Sequence, residues 1–456
     1  TFVGSGAGQL NTAADNVAVG ARALDANTTG ANNVAIGKNA LTANTTAAGN
    51  TALGKDALEA NTTGASNTAV GAYALDANTT ASNATAIGNE ALSANTTGAD
   101  NTAVGKRALD ANTTGGYLVA IGVDALGANT TASHNIGIGN SALGANTTGA
   151  YNIAIGRLAL DANTTASNNV AVGYNSLGAN TGGTPNIGIG TDAGVSITTG
   201  NRNIAIGAYA VDAVTTTHYN IGIGDNALGA TTGNGNVGIG DAALKSTTTA
   251  GYNVGIGFEA AKANTTASYN VAVGAASFVD NTTGAHNVAI GADALGNNTT
   301  AANNTAIGSS ALYANTTGTE SVAVGRSALA ANTTGSQNVA VGHGALDANT
   351  TAGYNTAVGY IALSANTTGA QNNAFGAGSL DANTTGAYNT AMGHDSLGAN
   401  TTASSNTAFG HSSLLLNSTG DNNTAVGLNS LDANTTGSSN TAVGVHALGG
   451  NTTADN

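Results

Sequence analysis

Residues 16–20 read polar, apolar, small, apolar, glycine: Asn16-Val17-Ala18-Val19-Gly20. Seventeen residues on, Asn33-Val34-Ala35-Ile36-Gly37 repeats the frame, which returns up to the copy opening at Asn440, 26 repeats in all. Alternation over positions one to four predicts a strand. Position two is Val, Ile or Thr in every repeat but one, which has Asn373, and position four is always apolar, from Val19 and Leu53 to Phe375, Met392 and Phe409. β-Branched residues at such positions fit a pleated ladder. Position five is Gly in all 26 repeats, Gly20 to Gly444, which suggests a corner of positive φ or a backbone approached too closely for a Cβ. Positions eight and nine are mostly Ala-Leu, as in Ala23-Leu24, and the Leu reads as a core side chain. The segment Asp25-Ala26-Asn27-Thr28-Thr29-Gly30 has turn chemistry and closes the repeat.

A helix would need apolar residues three and four apart over ten or more positions, and Gly, Asn and Thr-Thr interrupt each repeat. The predicted fold is therefore all-β: a parallel β-solenoid, or β-roll, of 17-residue coils, each with two short strands. Coils pairing at roughly 4.8 Å would make a rod roughly 130 Å long. Residues 1–15 read as a degenerate first repeat, and 16–456 as one continuous solenoid with a variant loop edge over 180–246.

Position three is Ala or Gly in every repeat, and on a strand it lies opposite Val17 and Val19. The pattern places the large residues inside and leaves Ala18, Ala35, Ala52, Ala323 and Ala340 on a face where something packs close. A tight fit inside a flattened coil would impose the same restriction. A neighbouring copy of the chain is the preferred expectation, because about three large apolar side chains per coil set little against the ordering entropy of a whole coil.

Composition narrows the function classes. Charged residues are 7% of the 456, the net charge is −14, and there is one Pro and neither Cys nor Trp. Thin acidity argues against a nucleic-acid partner. Without Cys there are no disulfides or thiolate metal sites. No apolar run is long enough to span a bilayer. The chain opens at Thr1 inside a worn repeat, without Met or signal peptide, as a mature or partial segment would.

Little enzymatic chemistry is legible. The seven His, among them His134, His218, His286 and His446, are scattered over loop positions. Asp recurs at position ten (Asp25, Asp76, Asp110, Asp161, Asp347, Asp381, Asp432) without the Gly-Gly-x-Gly-x-Asp frame of a calcium β-roll. No catalytic triad, phosphate loop or dinucleotide motif stands out, and no cofactor or metal site is expected.

The Asn-Thr-Thr triplet is the one chemical signal. It falls at Asn27, Asn44, Asn61, Asn78, Asn95, Asn112, Asn129, Asn146 and Asn163, then at Asn264, Asn281, Asn298, Asn315, Asn332, Asn349, Asn366, Asn383, Asn400, Asn434 and Asn451, with Asn417-Ser-Thr as a variant. It matches the N-glycosylation acceptor pattern, which would clothe the surface in glycans. The same residues could stack as a ladder of amides or serve only as turn formers. Equal spacing puts them on one line in either case. Between Asn180 and Ser246 the triplet degrades while the strand pattern persists.

The block Asn-Val-Ala-Ile-Gly-x-x-Ala resembles the head repeat of trimeric autotransporter adhesins. Repeats such as Asn355-Thr-Ala-Val-Gly-Tyr-Ile-Ala-Leu-Ser-Ala-Asn-Thr-Thr-Gly369 resemble the repeat arrays of bacterial surface and phage tail-fibre-like proteins. The resemblance covers nearly the whole chain. It implies a left-handed roll, a homo-oligomer with a trimer favoured, and an extracellular or cell- or virion-surface location. The adhesin repeat is a few residues shorter, which leaves this chain a larger loop at Asn27-Thr28-Thr29. No neck, coiled-coil stalk or membrane anchor is visible, and no membrane insertion is expected within the segment. The expected function is non-enzymatic: the shaft of a filament, adhesin or tail fibre. The alternative is a repetitive Thr/Asn surface for ice or polysaccharide, though adjacent Thr28 and Thr29 would point to opposite faces of a strand.

Overall fold

A computed structural model describes residues 1–455. The polypeptide divides into two compact units, Thr1–Asn226 and Ala227–Asn456. In the first, β1 (Phe2–Val3) and β2 (Val17–Val19) are followed by one three-residue strand per repeat up to β14 (Ile221–Ile223). The second runs likewise from β15 (Val237–Ile239) to β27 (Thr441–Val443). Within each unit neighbouring strands pair in parallel and in register, as Val17 with Val34, Ala18 with Ala35 and Val19 with Ile36. Among the described residues there is no helix. Each unit is a parallel β-solenoid of 17-residue coils, as the period predicts.

The coil differs from expectation in two ways. First, it holds one strand, not two. Positions seven and nine adopt left-handed φ, 60° at Arg22 and 57° at Leu24, so the Ala-Leu segment turns instead of extending. It still bonds the next coil, Leu24 N–H donating to the Ala40 carbonyl at 2.9 Å and Ala26 N–H to Thr42 at 3.1 Å. Left-handed φ at a Leu is strained, and full burial of that Leu offsets the cost.

Second, the strand faces the other way. Ala18, Ala35, Ala52, Ala323 and Ala340 are wholly buried within their own chain, whereas positions two and four point outward. The expected inter-chain packing at these alanines is therefore corrected. A Cβ built on Gly255, which replaces Ala at position three, would lie 2.9 Å from Leu244 Cγ of the preceding coil and 3.1 Å from the Ala260 carbonyl of its own coil. The small residue is required because the coil's opposite wall and the Leu beneath already fill the space.

The interior of a coil thus comprises positions 1, 3, 8, 9, 12 and 15, as in Asn16, Ala18, Ala23, Leu24, Asn27 and Gly30. Position five is a corner of positive φ. Gly325 has φ +135°, and a Cβ there would fall 2.5 Å from the Gly342 carbonyl of the next coil. Backbone and φ both forbid a side chain.

Gly325→Ala should cost roughly 1–3 kcal/mol from overpacking, with backbone strain in addition. Gly182→Ala is the control, since its Cβ would meet only Thr199 Cγ2 at 3.8 Å. Denaturant midpoints of the two variants check this, and equal midpoints contradict it.

Candidate functional site

The Asn-Thr-Thr edge forms a ladder inside the coil. Asn44 Nδ2 donates to Asn27 Oδ1 at 2.9 Å in the preceding coil and to the Ala47 carbonyl at 3.1 Å in its own. Asn61 repeats this on Asn44 and Gly64, and in the second unit Asn298 repeats it on Asn281 and Ala301. These asparagines are fully buried. Each Nδ2 has two protons and both are committed, so a sugar would remove a bond and find no exit to solvent. The glycan expectation is corrected for the folded coil. Asn264 Nδ2 donates only within its own coil, to Ala267, while its Oδ1 accepts from Asn281; the half-buried Asn451 Nδ2 likewise donates only to Ala454.

Where the triplet degrades, position 12 holds Ile197, Val214, Thr231 and Thr247, all buried. An aliphatic or hydroxyl group fills the amide's place and the ladder stops.

A second amide ladder runs along position one, and the sequence reading missed it. Asn33 N–H donates to Asn16 Oδ1 at 2.8 Å, and Asn33 Nδ2 crosses the coil to the Ala47 carbonyl at 2.9 Å. The signal was present: position one is Asn in all repeats except those with Ala84, Leu118 and Ser321. Position 13 forms a third ladder, Thr28 Oγ1 donating to the Thr45 carbonyl at 3.0 Å. That donor is therefore spent along the stack.

The surface carries three features. The outward strand face has two ranks, positions two and four, with no charged residue in any repeat. Ile36 is 37% exposed, Leu53 45% and Phe409 54%. Position 17 carries aromatic stacks: Tyr117 on His134 on Tyr151, with centroids 5.0 and 4.9 Å apart, and Tyr252 on Tyr269 on His286 at 5.4 and 5.2 Å. Position six carries His394 stacked on His411 at 5.2 Å, and His343 between Arg326 and Tyr360. These histidines are thus partnered by neighbouring rungs, where the sequence suggested scatter. Among the described residues no three His, Asp or Glu side chains converge as a metal site would require.

Where position ten is Asp, the side chain is half-buried. Burial pushes the carboxyls of Asp76, Asp110, Asp161, Asp347 and Asp381 above their ordinary value, 3.8. At Asp76 nearby Glu59 and Asp56 add to this, while Arg107 partly opposes it at Asp110. Between Asp110 and Asp161, Gly127 and Gly144 leave a shallow notch of about 440 Å³ beside the Arg107–Asp124 ion pair. It is an open dip in the ridge of position ten with no buried polar group aimed into it.

No protein-family model matches the chain, and no curated protein matches it. No helix among the described residues is long and apolar enough to cross a membrane.

Asn298→Ala should cost about 1–3 kcal/mol, because it strands the neighbouring amides in a dry interior. An unchanged denaturant midpoint would show that the ladder contributes nothing net.

The raised carboxyls set a sign for pH. The folded chain holds these protons more tightly than the unfolded chain, so their stability contribution is complete below the ordinary value and is lost as pH rises through the folded values. Acidifying from neutrality into the carboxylate range should raise the denaturant midpoint. Replacing the five Asp with Asn should flatten that slope, and a slope of opposite sign would contradict the assignment.

Proposed function

We propose that the chain is a non-enzymatic structural protein, the shaft of an extracellular filament, adhesin or tail fibre at a cell or virion surface. It works as a homo-oligomer joined through the outward strand face. One observation carries this reading: two exposed ranks of Val, Ile, Leu, Thr and Phe that never admit a charge. Contiguous apolar patches of more than a few hundred Å² mark interaction sites on soluble proteins. Thirteen paired strands in one unit, at ~4.8 Å per coil and ~10 Å of strand, offer roughly 600 Å² per partner, close to what a standard interface buries on each side. The resemblance to adhesin heads adds a left-handed winding and favours a trimer. The lengthwise ladders suit a shaft, since a tug on one coil is borne by bonds to the next.

The Thr-bearing strands support a second reading. Thr51, Thr68, Thr85 and Thr102 stand in one rank at position two, beside the aliphatic rank at position four. The adjacent-Thr objection attached to Thr28-Thr29 does not apply, because positions two and four share a face. This array is the one to test for ice, by recrystallisation inhibition with and without Thr68→Lys.

Mass measurement of the native particle tests the first reading. The expected result is a multiple of the 43.5 kDa chain. Ile290→Lys with Ile307→Lys, both 38% exposed, should yield a folded monomer with an unchanged β spectrum. A monomeric parent chain, or unaltered assembly of the double variant, would overturn the proposal.

A further inference from the structure

Seven of the 12 tyrosines stand in the position-17 rank: Tyr117, Tyr151, Tyr219, Tyr252, Tyr269, Tyr354 and Tyr388. Only Tyr252 and Tyr269 occupy consecutive coils. His134 separates Tyr117 from Tyr151, Gln371 separates Tyr354 from Tyr388, and Gly235 follows Tyr219 in the rank. The Tyr252 and Tyr269 rings lie with centroids 5.4 Å apart and planes within 5°. They are 59% and 55% exposed, so both hydroxyl edges meet solvent and both rings can tilt. On one side the stack ends at His286, which lies 5.2 Å from Tyr269; on the other it ends at Gly235, which has no side chain to compete for Tyr252. Backbone bonds hold this corner in place, Tyr252 N–H donating to the Asn234 carbonyl at 3.0 Å and Tyr269 N–H to Gly251 at 3.4 Å.

We propose that Tyr252 and Tyr269 form a site of oxidative cross-linking, joined by a carbon–carbon bond between the ring carbons ortho to their hydroxyls when a haem peroxidase supplied with hydrogen peroxide acts on the folded chain. Each phenol gives up one electron and one proton to become a phenoxyl radical, whose spin is shared with the ortho carbons. Two radicals held one coil apart couple at those carbons. The hydrogen on each coupled carbon then moves to the phenolic oxygen and aromaticity returns. The pair loses two hydrogens in all, and one hydrogen peroxide becomes two waters. The chain has no cysteine, so this bond would be a covalent staple between coils that no disulfide can provide. It does not depend on the strand face or on assembly, because both rings belong to one chain.

The test is treatment of the full chain with horseradish peroxidase and hydrogen peroxide, followed by denaturing gel, dityrosine fluorescence and peptide mapping. The expected product is one dityrosine per chain, at the mobility of the single chain, linking the peptides that carry Tyr252 and Tyr269. Tyr252→Phe and Tyr269→Phe should each abolish it while keeping the ring stack and the β spectrum, and Tyr354→Phe should leave it unchanged. Undiminished fluorescence in Tyr252→Phe would overturn the proposal. So would dityrosine found only in inter-chain dimers, or no coupling in a reaction that dimerises N-acetyltyrosine.

Discussion

The structure depends on buried amides that cannot be satisfied inside their own coil. At position 12, one Nδ2 proton goes to a carbonyl of the same coil and the other must find the coil before. At position one, Oδ1 accepts from the backbone of the coil after. An amide left unpaired in a dry interior costs about 1–3 kcal/mol, and most coils carry two. A coil is therefore stable only between coils of the same length, wound so that position 12 falls on position 12. This explains the constancy of the 17-residue period better than the strand does, since a three-residue strand specifies register weakly by itself. The single 16-residue spacing, from Asn220 to Asn236, falls where position 12 reads Val214, Thr231 and Thr247 instead of Asn. The length rule relaxes in the stretch where the ladder is absent.

The same polar interior turns the strand inside out. Two Asn, a Leu and a Gly or Ala at position 15 occupy the coil's cross-section, and the strand can add only a methyl or a hydrogen on its inner face. The β-branched residues are left to solvent. Their value there is conformational, because Val, Ile and Thr favour the extended strand wherever they point. The apolar surface comes as a consequence, and each unit gains an uncharged face with no loss to its own core.

The architecture was legible because periodicity and alternation are properties of the sequence alone. The face was not, because the reading assumed that larger apolar residues go inside. A better signal was available in the spread of sizes. Position four runs from Val19 to Leu53, Met392 and Phe409, and position three never exceeds Ala. A close-packed position cannot accept that range of volumes without cavities or clashes, so position four had to be the exposed one. Position one was misread for a similar reason: its near-constant Asn was taken as the polar side of a strand, when constancy of a polar residue marks a buried bond. The second strand failed because Ala-Leu looks extended by composition, and the left-handed φ at Arg22 and Leu24 follows from the need to turn a corner within a fixed coil length.

Repetition sets a limit on what such a face can specify. Two identical ladders laid face to face, as the proposed homo-oligomer requires, match equally well at every offset of one coil, so area alone would hold copies together without fixing their register. Register has to come from the departures. Position two is Thr in four successive repeats from Thr51 to Thr102 and aliphatic from Val119 to Val288; the late repeats introduce Asn373, Phe375, Met392 and Phe409. In the proposed homo-oligomer, an offset of one coil would take Phe375 out of line with its counterpart and place Thr against Val at each Thr–aliphatic boundary. Each mismatch is small, of the order of a buried methylene or a lost hydrogen bond, but only the aligned arrangement avoids all of them. The imperfections in the repeat are thus the part of the sequence able to tell one coil from the next.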